Sequence, residues 1–198
     1  MIKVKNLYMK EINSRITVNI PTGITYLTGK NGSGKTIFLD YLTRIRKYEK
    51  NVITGNENAI YMRQNFSFYN RIKVKEFIDF VYELCGIKDK NEFFEFLKRN
   101  NVPFDMKKLE NTKLGMLSGG ERRTIYLLVI LSIERAWYIL DEPFVNIDKD
   151  MKIILTNLIS KLKNEGRSII FTNHENVEDY FGKGFYHTIN FEELLQHD

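Results

Sequence analysis

A glycine-rich segment near the start of the chain has the residue types and the spacing of a phosphate-binding loop. It reads Gly29-Lys30-Asn31-Gly32-Ser33-Gly34-Lys35-Thr36, which satisfies the pattern G-x-x-x-x-G-K-[ST], and it follows an apolar run at 24–27. In such a loop, glycines let successive backbone N–H groups face phosphate oxygens, and the next helix adds its positive N-terminal end. We expect Lys35 to reach the β- and γ-phosphates of a nucleotide, and the Thr36 hydroxyl to bind Mg²⁺. The residues of this segment assigned to nucleotide binding are Asn31, Gly32, Ser33, Gly34, Lys35, Thr36 and Ile37.

Two carboxylates follow a second apolar run. The run at 136–140 is too short for a helix and is followed by Pro143, so we expect a strand that is buried on both faces and ends at Asp141 and Glu142. In an open parallel sheet, ligands bind beyond the carboxyl ends of the strands, which predicts that these acids lie near the phosphate loop. Asp141 suits the Mg²⁺ shell, and Glu142 suits polarisation of the water that attacks the γ-phosphorus. Taken alone, the two acids would be an ordinary acidic turn.

A third motif, Leu117-Ser118-Gly119-Gly120-Glu121, precedes an apolar helix predicted over residues 121–134. Ser118 and Glu121 have the spacing of a capping box. Capping does not account for the two glycines, whereas a hydroxyl beside two side-chain-free N–H groups at a helix N-terminus can form a second anion site. The chain has only one lysine-bearing phosphate loop. Two half-sites on one chain suggest that Ser118, Gly119 and Gly120 contact a nucleotide across a dimer.

In this order, the motifs resemble those of the ATP-binding subunits of ABC transporters, and the resemblance spans about residues 1–180. It implies ATP and Mg²⁺ as cofactors. It also implies that Gln64 meets Mg²⁺ and the attacking water, that His174 senses the γ-phosphate, and that the loop at 145–148 crosses the dimer. Tyr8 is the nearest candidate for the aromatic residue that stacks on adenine, although it could equally pack in the core.

The pattern along the chain predicts an α/β fold: a P-loop NTPase core with a mostly parallel sheet, a small antiparallel β-lobe and an inserted helical lobe. Apolar and polar residues alternate over residues 2–20, which is typical of antiparallel strands. Residues 65–116 are rich in helix-forming residues, and apolar strands then alternate with periodic helices. We therefore expect one ABC-type ATPase domain over residues 1–198, with a helical sub-lobe at about 65–116.

Charge and hydropathy limit the partners. The chain has 198 residues, 30 Lys and Arg against 25 Asp and Glu, and a net charge of +5, which suits ATP, an anionic membrane surface or nucleic acid. No apolar stretch approaches the roughly 20 residues that span a bilayer, and the N-terminus lacks a signal-peptide pattern. We expect a cytoplasmic protein that is held peripherally on the inner face of the cell membrane by a separate transmembrane permease.

The leading hypothesis is ATP hydrolysis by a head-to-tail nucleotide-sandwich dimer that powers transport by this permease. The dimer is either a homodimer or a heterodimer with a second ATPase subunit. Phe66, Phe68 and Tyr69 either line a groove for a helix of the permease or pack within the helical lobe. The alternative is a soluble ABC-type ATPase that acts in complex assembly or on DNA. Nucleic acid is not expected, because DNA-acting members carry long coiled-coil insertions, whereas the segment between Gln64 and Leu117 is short.

Overall fold

The computed structural model describes residues 1–89, 91–103, 106–174, 177–179, 181–182 and 184–197. The chain divides into two compact units. One, the core unit, comprises residues 1–64, 135–143 and 159–198, and the other, the helical unit, comprises residues 65–134 and 144–158. The helical unit begins where the predicted sub-lobe begins, but it continues beyond residue 116. Residues 90, 104 and 105 of the predicted sub-lobe lie outside the described residues.

Strands and helices alternate along most of the chain. The strands are β1 (Ile2–Met9), β2 (Ser14–Ile20), β3 (Ile24–Thr28), β4 (Ile53–Thr54), β5 (Ala59–Met62), β6 (Trp137–Leu140), β7 (Ser168–Phe171), β8 (His187–Asn190) and β9 (Leu195–His197). The α-helices are α1 (Lys35–Leu42), α2 (Val74–Leu84), α3 (Glu92–Arg99), α4 (Met106–Leu109), α5 (Gly119–Ser132) and α6 (Lys149–Asn164). Short 3₁₀ turns occur at Leu114–Met116, Val177–Asp179 and Phe191–Leu194.

The larger sheet of the core unit has five strands in the order β5-β6-β7-β3-β8, and these neighbours pair in parallel. Every residue of β6 and of β7 is buried. Such continuous apolar runs are what a parallel sheet covered on both faces requires. The carboxyl end of β3 leads into the glycine-rich loop, and that of β6 leads into Asp141, so the sheet topology brings both segments to the same edge.

A second sheet of four strands, β4-β1-β2-β9, is antiparallel. Ile2 pairs with Ile20, and Val4 pairs with Val18, so two of the segments with predicted alternation pair with each other. The register shifts between Val4 and Leu7, where Asn6 has a φ of 49°, as in a β-bulge. The predicted α/β fold, with its parallel sheet and separate antiparallel sheet, is confirmed.

The helical unit is built around aromatic side chains. Phe66 lies edge-on to Tyr126 of α5, with ring centroids 4.8 Å apart, and Phe68 packs on Phe77 at 5.2 Å. Phe66 and Phe68 thus pack inside the unit, as one of the two sequence interpretations expected, whereas Tyr69 is 63% exposed. Among the residues that the structure describes, no helix has the length and the apolar character needed to cross a membrane.

Candidate active site

The glycine-rich loop of the core unit encloses the side chain of its own lysine. Lys35 Nζ donates hydrogen bonds to the carbonyl oxygens of Gly29 at 2.6 Å and of Lys30 at 2.9 Å. Burial lowers the pKa of Lys35, while the nearby carboxylates of Glu142 and Asp141 act in the opposite direction. The ammonium group is therefore held in place by two backbone carbonyls that a phosphate group can replace.

Gly34 shows why the loop requires glycine immediately before the lysine. It is the N-cap of α1, has a φ of 108°, and provides no side-chain bond to the first turn. A Cβ at this position would lie 3.1 Å from Cδ1 of Ile12. Both the backbone conformation and the close approach of Ile12 favour glycine here. Because glycine has no side chain, the first N–H groups of α1 have no side-chain cap.

Asp141 and Thr36 form one side of a candidate metal site. Thr36 Oγ1 donates to Asp141 Oδ2 at 2.8 Å, and Thr172 Oγ1 donates to Asp141 Oδ1 at 2.7 Å. Asp141 is only 1% exposed. These hydroxyl and carboxylate oxygens, with the amide oxygen of Gln64, are the hard ligands that Mg²⁺ prefers, so the donor set fits this ion.

The described residues contain no group of three or more His, Cys, Asp or Glu side chains that could hold a metal ion. Mg²⁺ in nucleotide sites borrows one or two protein ligands and takes its remaining ligands from phosphates and water. A sparse protein donor set is therefore consistent with an ion that arrives together with a nucleotide.

Glu142 is held from three directions. Its Oε2 accepts a hydrogen bond from Gln64 Nε2 at 2.7 Å, and its Oε1 contacts His174 Nε2. Its backbone N–H donates to Thr172 Oγ1 at 2.9 Å. Glu142 also has a φ of 51°, which is unusual for a residue with a side chain and often marks a functional position. The residues that sequence analysis assigned to the attacking water are thus in direct contact.

These side chains line one cavity of about 410 Å³ in the core unit. Its lining residues are Asn31, Gly32, Gly34, Lys35, Thr36, Ile37, Gln64, Asp141, Glu142 and His174. Of the loop residues assigned to nucleotide binding, Ser33 is not among the residues that line it. The Ser33 hydroxyl is buried and has no hydrogen-bond partner among the described residues.

Tyr8 lies elsewhere on the core unit. It is 43% exposed on β1, its hydroxyl donates to Asn13 Oδ1 at 2.8 Å, and the Arg15 guanidinium lies 5.1 Å from its ring centroid. It is not among the residues that line the cavity. The side chain that meets the phosphate loop from this part of the chain is Ile12. Adenine stacking by Tyr8 stays a prediction.

The Ser-Gly-Gly motif lies in the helical unit and caps α5. Ser118 Oγ accepts from the Glu121 backbone N–H at 3.1 Å, and Glu121 Oε2 accepts from the Ser118 N–H at 2.9 Å. These hydrogen bonds from Ser118 lower the pKa of Glu121. The predicted capping box therefore forms, and it leaves Ser118 and Gly119 exposed.

The structure gives Gly120 a packing role that the sequence did not reveal. A Cβ on Gly120 would overlap the carbonyl oxygen of Asn146, which lies in the predicted dimer-crossing loop and has a φ of 62°. At Gly119 the nearest atom to an added Cβ is Asn146 Nδ2 at 3.9 Å, which is an ordinary contact. The second glycine is therefore needed so that the backbone of Asn146 can approach α5.

Thr172 is a site residue that sequence analysis missed. It is 1% exposed, directly follows β7, and its one hydroxyl bonds both the Asp141 carboxylate and the Glu142 N–H. The only signal in the sequence was a polar residue at the end of an apolar run. Its role depends on the pairing of Leu140 with Phe171, which sets the ends of β6 and β7 side by side.

Comparisons with known proteins agree with this geometry. A family model described as ABC transporter matches residues 14–145. The chain is 24% identical over 189 residues to the manganese transport system ATP-binding protein MntB of Listeria innocua, covering 84% of this chain and 76% of that protein. It is 32% identical over 164 residues to ABC transporter I family member 1 of Arabidopsis thaliana, covering 77% of this chain and 70% of that protein.

A solved dimeric structure of a bacterial ABC transporter cassette superposes with a TM-score of 0.71 at 20% identity, covering 91% of this chain and 90% of that chain. At this identity the likeness supports the fold. The family model covers well over half of the chain. This chain therefore belongs to the ABC transporter family, as one of its ATP-hydrolysing, ATP-binding cassettes.

Proposed function

We propose that this chain hydrolyses ATP with Mg²⁺ in a head-to-tail dimer, and that the reaction drives transport through a separate membrane-spanning subunit. The observation that carries the proposal is the combination of side chains around one cavity. Lys35 and Thr36 lie at the start of α1, while Glu142 is contacted by Gln64 and His174. A phosphate-binding group and a water-activating group thus line the same space.

Phosphate binding begins at the lysine. Lys35 Nζ bonds the carbonyl oxygens of Gly29 and Lys30. The β- and γ-phosphate oxygens of ATP replace these neutral acceptors with charged ones, which form stronger hydrogen bonds. The N–H groups of the loop and of the first turn of α1 point to the same anion. Binding therefore uses groups that are already in position.

Mg²⁺ would be held by Thr36, Asp141 and Gln64. When bound, the ion neutralises charge that develops on the phosphate oxygens. Thr172 supports this arrangement, because its hydroxyl bonds Asp141 Oδ1 and leaves the other carboxylate oxygen to Thr36. The buried position of Asp141 keeps its charge poorly screened by solvent.

Glu142 is proposed as the base for the attacking water. Its carboxylate takes a proton from the water, whose oxygen forms a bond to the γ-phosphorus, while the bond between that phosphorus and the bridging oxygen breaks. The products are ADP and phosphate. Gln64 and His174 each contact one oxygen of Glu142, and each of these oxygens can accept a further hydrogen bond from the attacking water.

The dimer completes the site in this proposal. Ser118, Gly119 and Gly120 of one protomer would contact the γ-phosphate bound to the other, because a helix N-terminus with exposed N–H groups favours an anion. The solved bacterial cassette with the same fold is dimeric. A site that is assembled only on dimer closure links phosphate chemistry to a change of shape.

A membrane subunit is the proposed partner, and it would hold the protein on the cytoplasmic face of the cell membrane. The relative from Listeria innocua is the ATP-binding protein of a manganese transport system. The helical unit of this chain exposes large apolar side chains, including Tyr69, Leu84 and Met116. Exposed apolar and aromatic residues of this kind are suited to the centre of a protein interface. We propose that residues 1–198 form a single ATPase domain that contains both compact units.

The test is affinity purification of the tagged Glu142→Gln variant from detergent-solubilised native cells in the presence of ATP, with co-purifying proteins identified by mass spectrometry. Wild-type protein with ADP is the control. Stoichiometric recovery of a multi-span membrane protein supports the transporter role. Recovery of soluble proteins alone, or of the dimer alone, overturns it and favours an ATPase that acts in complex assembly or on DNA.

A further inference from the structure

A buried carboxylate lies inside the core unit outside the catalytic group of residues. Asp40, in the last turn of α1, is 1% exposed. Its Oδ2 accepts hydrogen bonds from Arg63 Nη2 at 2.8 Å and from Arg46 Nε at 3.3 Å. A buried charge is costly unless it is paired, and loss of one partner leaves it poorly compensated. These contacts therefore constrain the segments that carry the two arginines.

Arg63 connects Asp40 to the candidate active site. It directly precedes Gln64, whose side chain donates to Glu142 at 2.7 Å. The parallel pairing of β5 with β6 ends at Met62 and Leu140, so Arg63 and Gln64 lie just beyond the last paired residue. The helix that carries Asp40, α1, begins with Lys35 and Thr36, and both of these residues line the cavity. The Asp40–Arg63 pair thus joins the helix that carries phosphate-binding residues to the residue beside Gln64.

The surrounding charges connect this pair with the candidate metal site. The Tyr61 hydroxyl is buried, and its pKa is raised well above its usual range by burial and by the carboxylates of Asp141 and Asp40. The Arg63 guanidinium acts in the opposite direction. Asp40, Asp141 and Arg63 therefore all act on the Tyr61 hydroxyl, although the Arg63 side chain is itself half exposed.

Arg46 provides an internal comparison. It bonds the same oxygen of Asp40, but it is also paired with Glu11, which in turn accepts a hydrogen bond from the Tyr41 hydroxyl at 3.0 Å. Arg46 follows α1 and is not adjacent to a residue of the cavity. Both arginines bond the Asp40 carboxylate, but Arg63 is next to a residue that lines the cavity and Arg46 is not.

We propose that Arg63, anchored by Asp40, is a positioning residue that sets Gln64 relative to Thr36 and Glu142. The proposal rests on the metal and water role of Gln64 put forward above. Without the ion pair, the segment that begins at Arg63 has more conformations available, and fewer of them place the Gln64 side chain against the metal and the attacking water. Phosphate binding by Lys35 is expected to be unaffected, because Arg63 is not among the residues that line the cavity.

The experiment compares Arg63→Met with Arg46→Met in the full chain. Both variants remove one guanidinium from Asp40 and keep a long apolar side chain. In the nucleotide-free and metal-free protein, amide hydrogen exchange is measured over residues 62–64. Exchange there is expected to accelerate at least about tenfold in Arg63→Met and to stay within about twofold of wild type in Arg46→Met.

Binding and turnover give the second readout. Affinity for a fluorescent ATP analogue is measured with excess chelator and again with Mg²⁺. The Arg63→Met variant is expected to retain wild-type affinity in chelator, while the affinity gained on adding Mg²⁺ falls about tenfold and kcat falls by a similar factor. Arg63→Lys, which keeps the charge but loses the planar fork, is expected to recover part of each loss.

The outcomes separate this inference from the proposed function. If wild-type protein hydrolyses ATP and Gln64→Ala impairs it, but the two arginine variants behave alike in exchange and in the Mg²⁺ effect, the positioning role is wrong. If wild-type protein neither binds nor hydrolyses ATP, the proposed function fails, and the role of Arg63 that depends on it fails too. Faster exchange and a weaker Mg²⁺ effect in Arg63→Met alone support the proposal.

Discussion

Two helix N-termini of this chain lie beside glycines, and they differ in how their N–H groups are capped. The N-cap of α1, Gly34, provides no side-chain hydrogen bond, whereas the N-cap of α5, Ser118, forms a complete capping box with Glu121. The first N–H groups of α1 therefore have no side-chain cap and can bond a phosphate, whereas in α5 the capping box already bonds the N–H groups of Ser118 and Glu121. The core unit thus presents a helix N-terminus that is open to an anion, and the helical unit presents one that its own side chains partly cap.

The Ser118 hydroxyl can still take part in anion binding. It accepts from the Glu121 N–H at 3.1 Å, but its own proton is available to a further acceptor. The surroundings also differ. Lys35, Asp141 and Glu142 are buried, whereas Ser118 is exposed. A buried set of charges is suited to catalysis, and an exposed cap is suited to meeting a ligand that a second molecule brings.

The largest expected effect concerns the buried charges of the core unit, which the comparison assigns to catalysis. The Glu142→Gln change keeps the shape of the side chain and removes the base, so ATP turnover is expected to fall about 1,000-fold with ATP affinity retained. Phosphate release and nucleotide binding are measured on the same preparation. Glu57→Gln, which alters an exposed carboxylate paired with Arg44 in the same unit, is the control and is expected to be neutral. Equal turnover of Glu142→Gln and wild type would exclude the base role.

The next effect sharpens the contrast within the Ser-Gly-Gly motif. Gly120→Ala places a methyl group on the Asn146 carbonyl oxygen, so the helical unit is expected to lose about 1–3 kcal/mol of stability. Gly119→Ala adds the same group where the nearest atom is 3.9 Å away and should be close to neutral for stability. Chemical denaturation monitored by circular dichroism compares the two variants. Equal destabilisation by both would show that the packing against Asn146 is not the reason for the second glycine.

A smaller effect tests how the buried site is held together. Thr172→Val removes the donor to Asp141 and the acceptor of the Glu142 N–H, which is expected to cost about 1–3 kcal/mol of stability and to lower turnover about tenfold. The matched control is Thr25→Val. The Thr25 hydroxyl is buried in the same unit and has no partner among the described residues, so this change is expected to be neutral or stabilising. If both variants behave alike, Thr172 does not organise the two acids.

The smallest effect concerns the charge of the α5 cap. The pKa of Glu121 is lowered in the folded protein by its hydrogen bonds with Ser118. Its stabilising contribution is therefore present above the unfolded pKa and is lost as the pH falls through the folded pKa. Glu121→Gln keeps a capping side chain without the charge. The melting temperatures of variant and wild type should differ slightly near neutral pH and converge as the pH falls through the folded-state pKa of Glu121, and a gap independent of pH would contradict this assignment.

Much of the candidate site could be predicted because its parts are contiguous in sequence. The phosphate loop uses backbone N–H groups and two adjacent side chains, Lys35 and Thr36, so its chemistry is contained in one short segment. Asp141 and Glu142 directly follow an apolar strand, and parallel-sheet topology predicts which edge they occupy. The fold class followed from the same patterns, because strand and helix periodicities differ.

Other features depend on residues far apart in the chain. Thr172 bonds Asp141 only because β6 and β7 pair in parallel with Leu140 opposite Phe171. Gly120 is needed only because the backbone of Asn146 lies against it. A single sequence carries no signal for such contacts, because neither partner has a residue type or spacing that points to the other.

The sequence by itself determined the phosphate loop, the two acids at the end of a buried strand and the capped Ser-Gly-Gly helix, because local backbone geometry and neighbouring side chains supply that chemistry. Only the tertiary structure decided which distant side chains hold those groups in place. The contacts of Gln64 and His174 with Glu142, and of Arg63 with Asp40, depend on the order and register of the strands. Strand pairing is a long-range property that no short segment specifies.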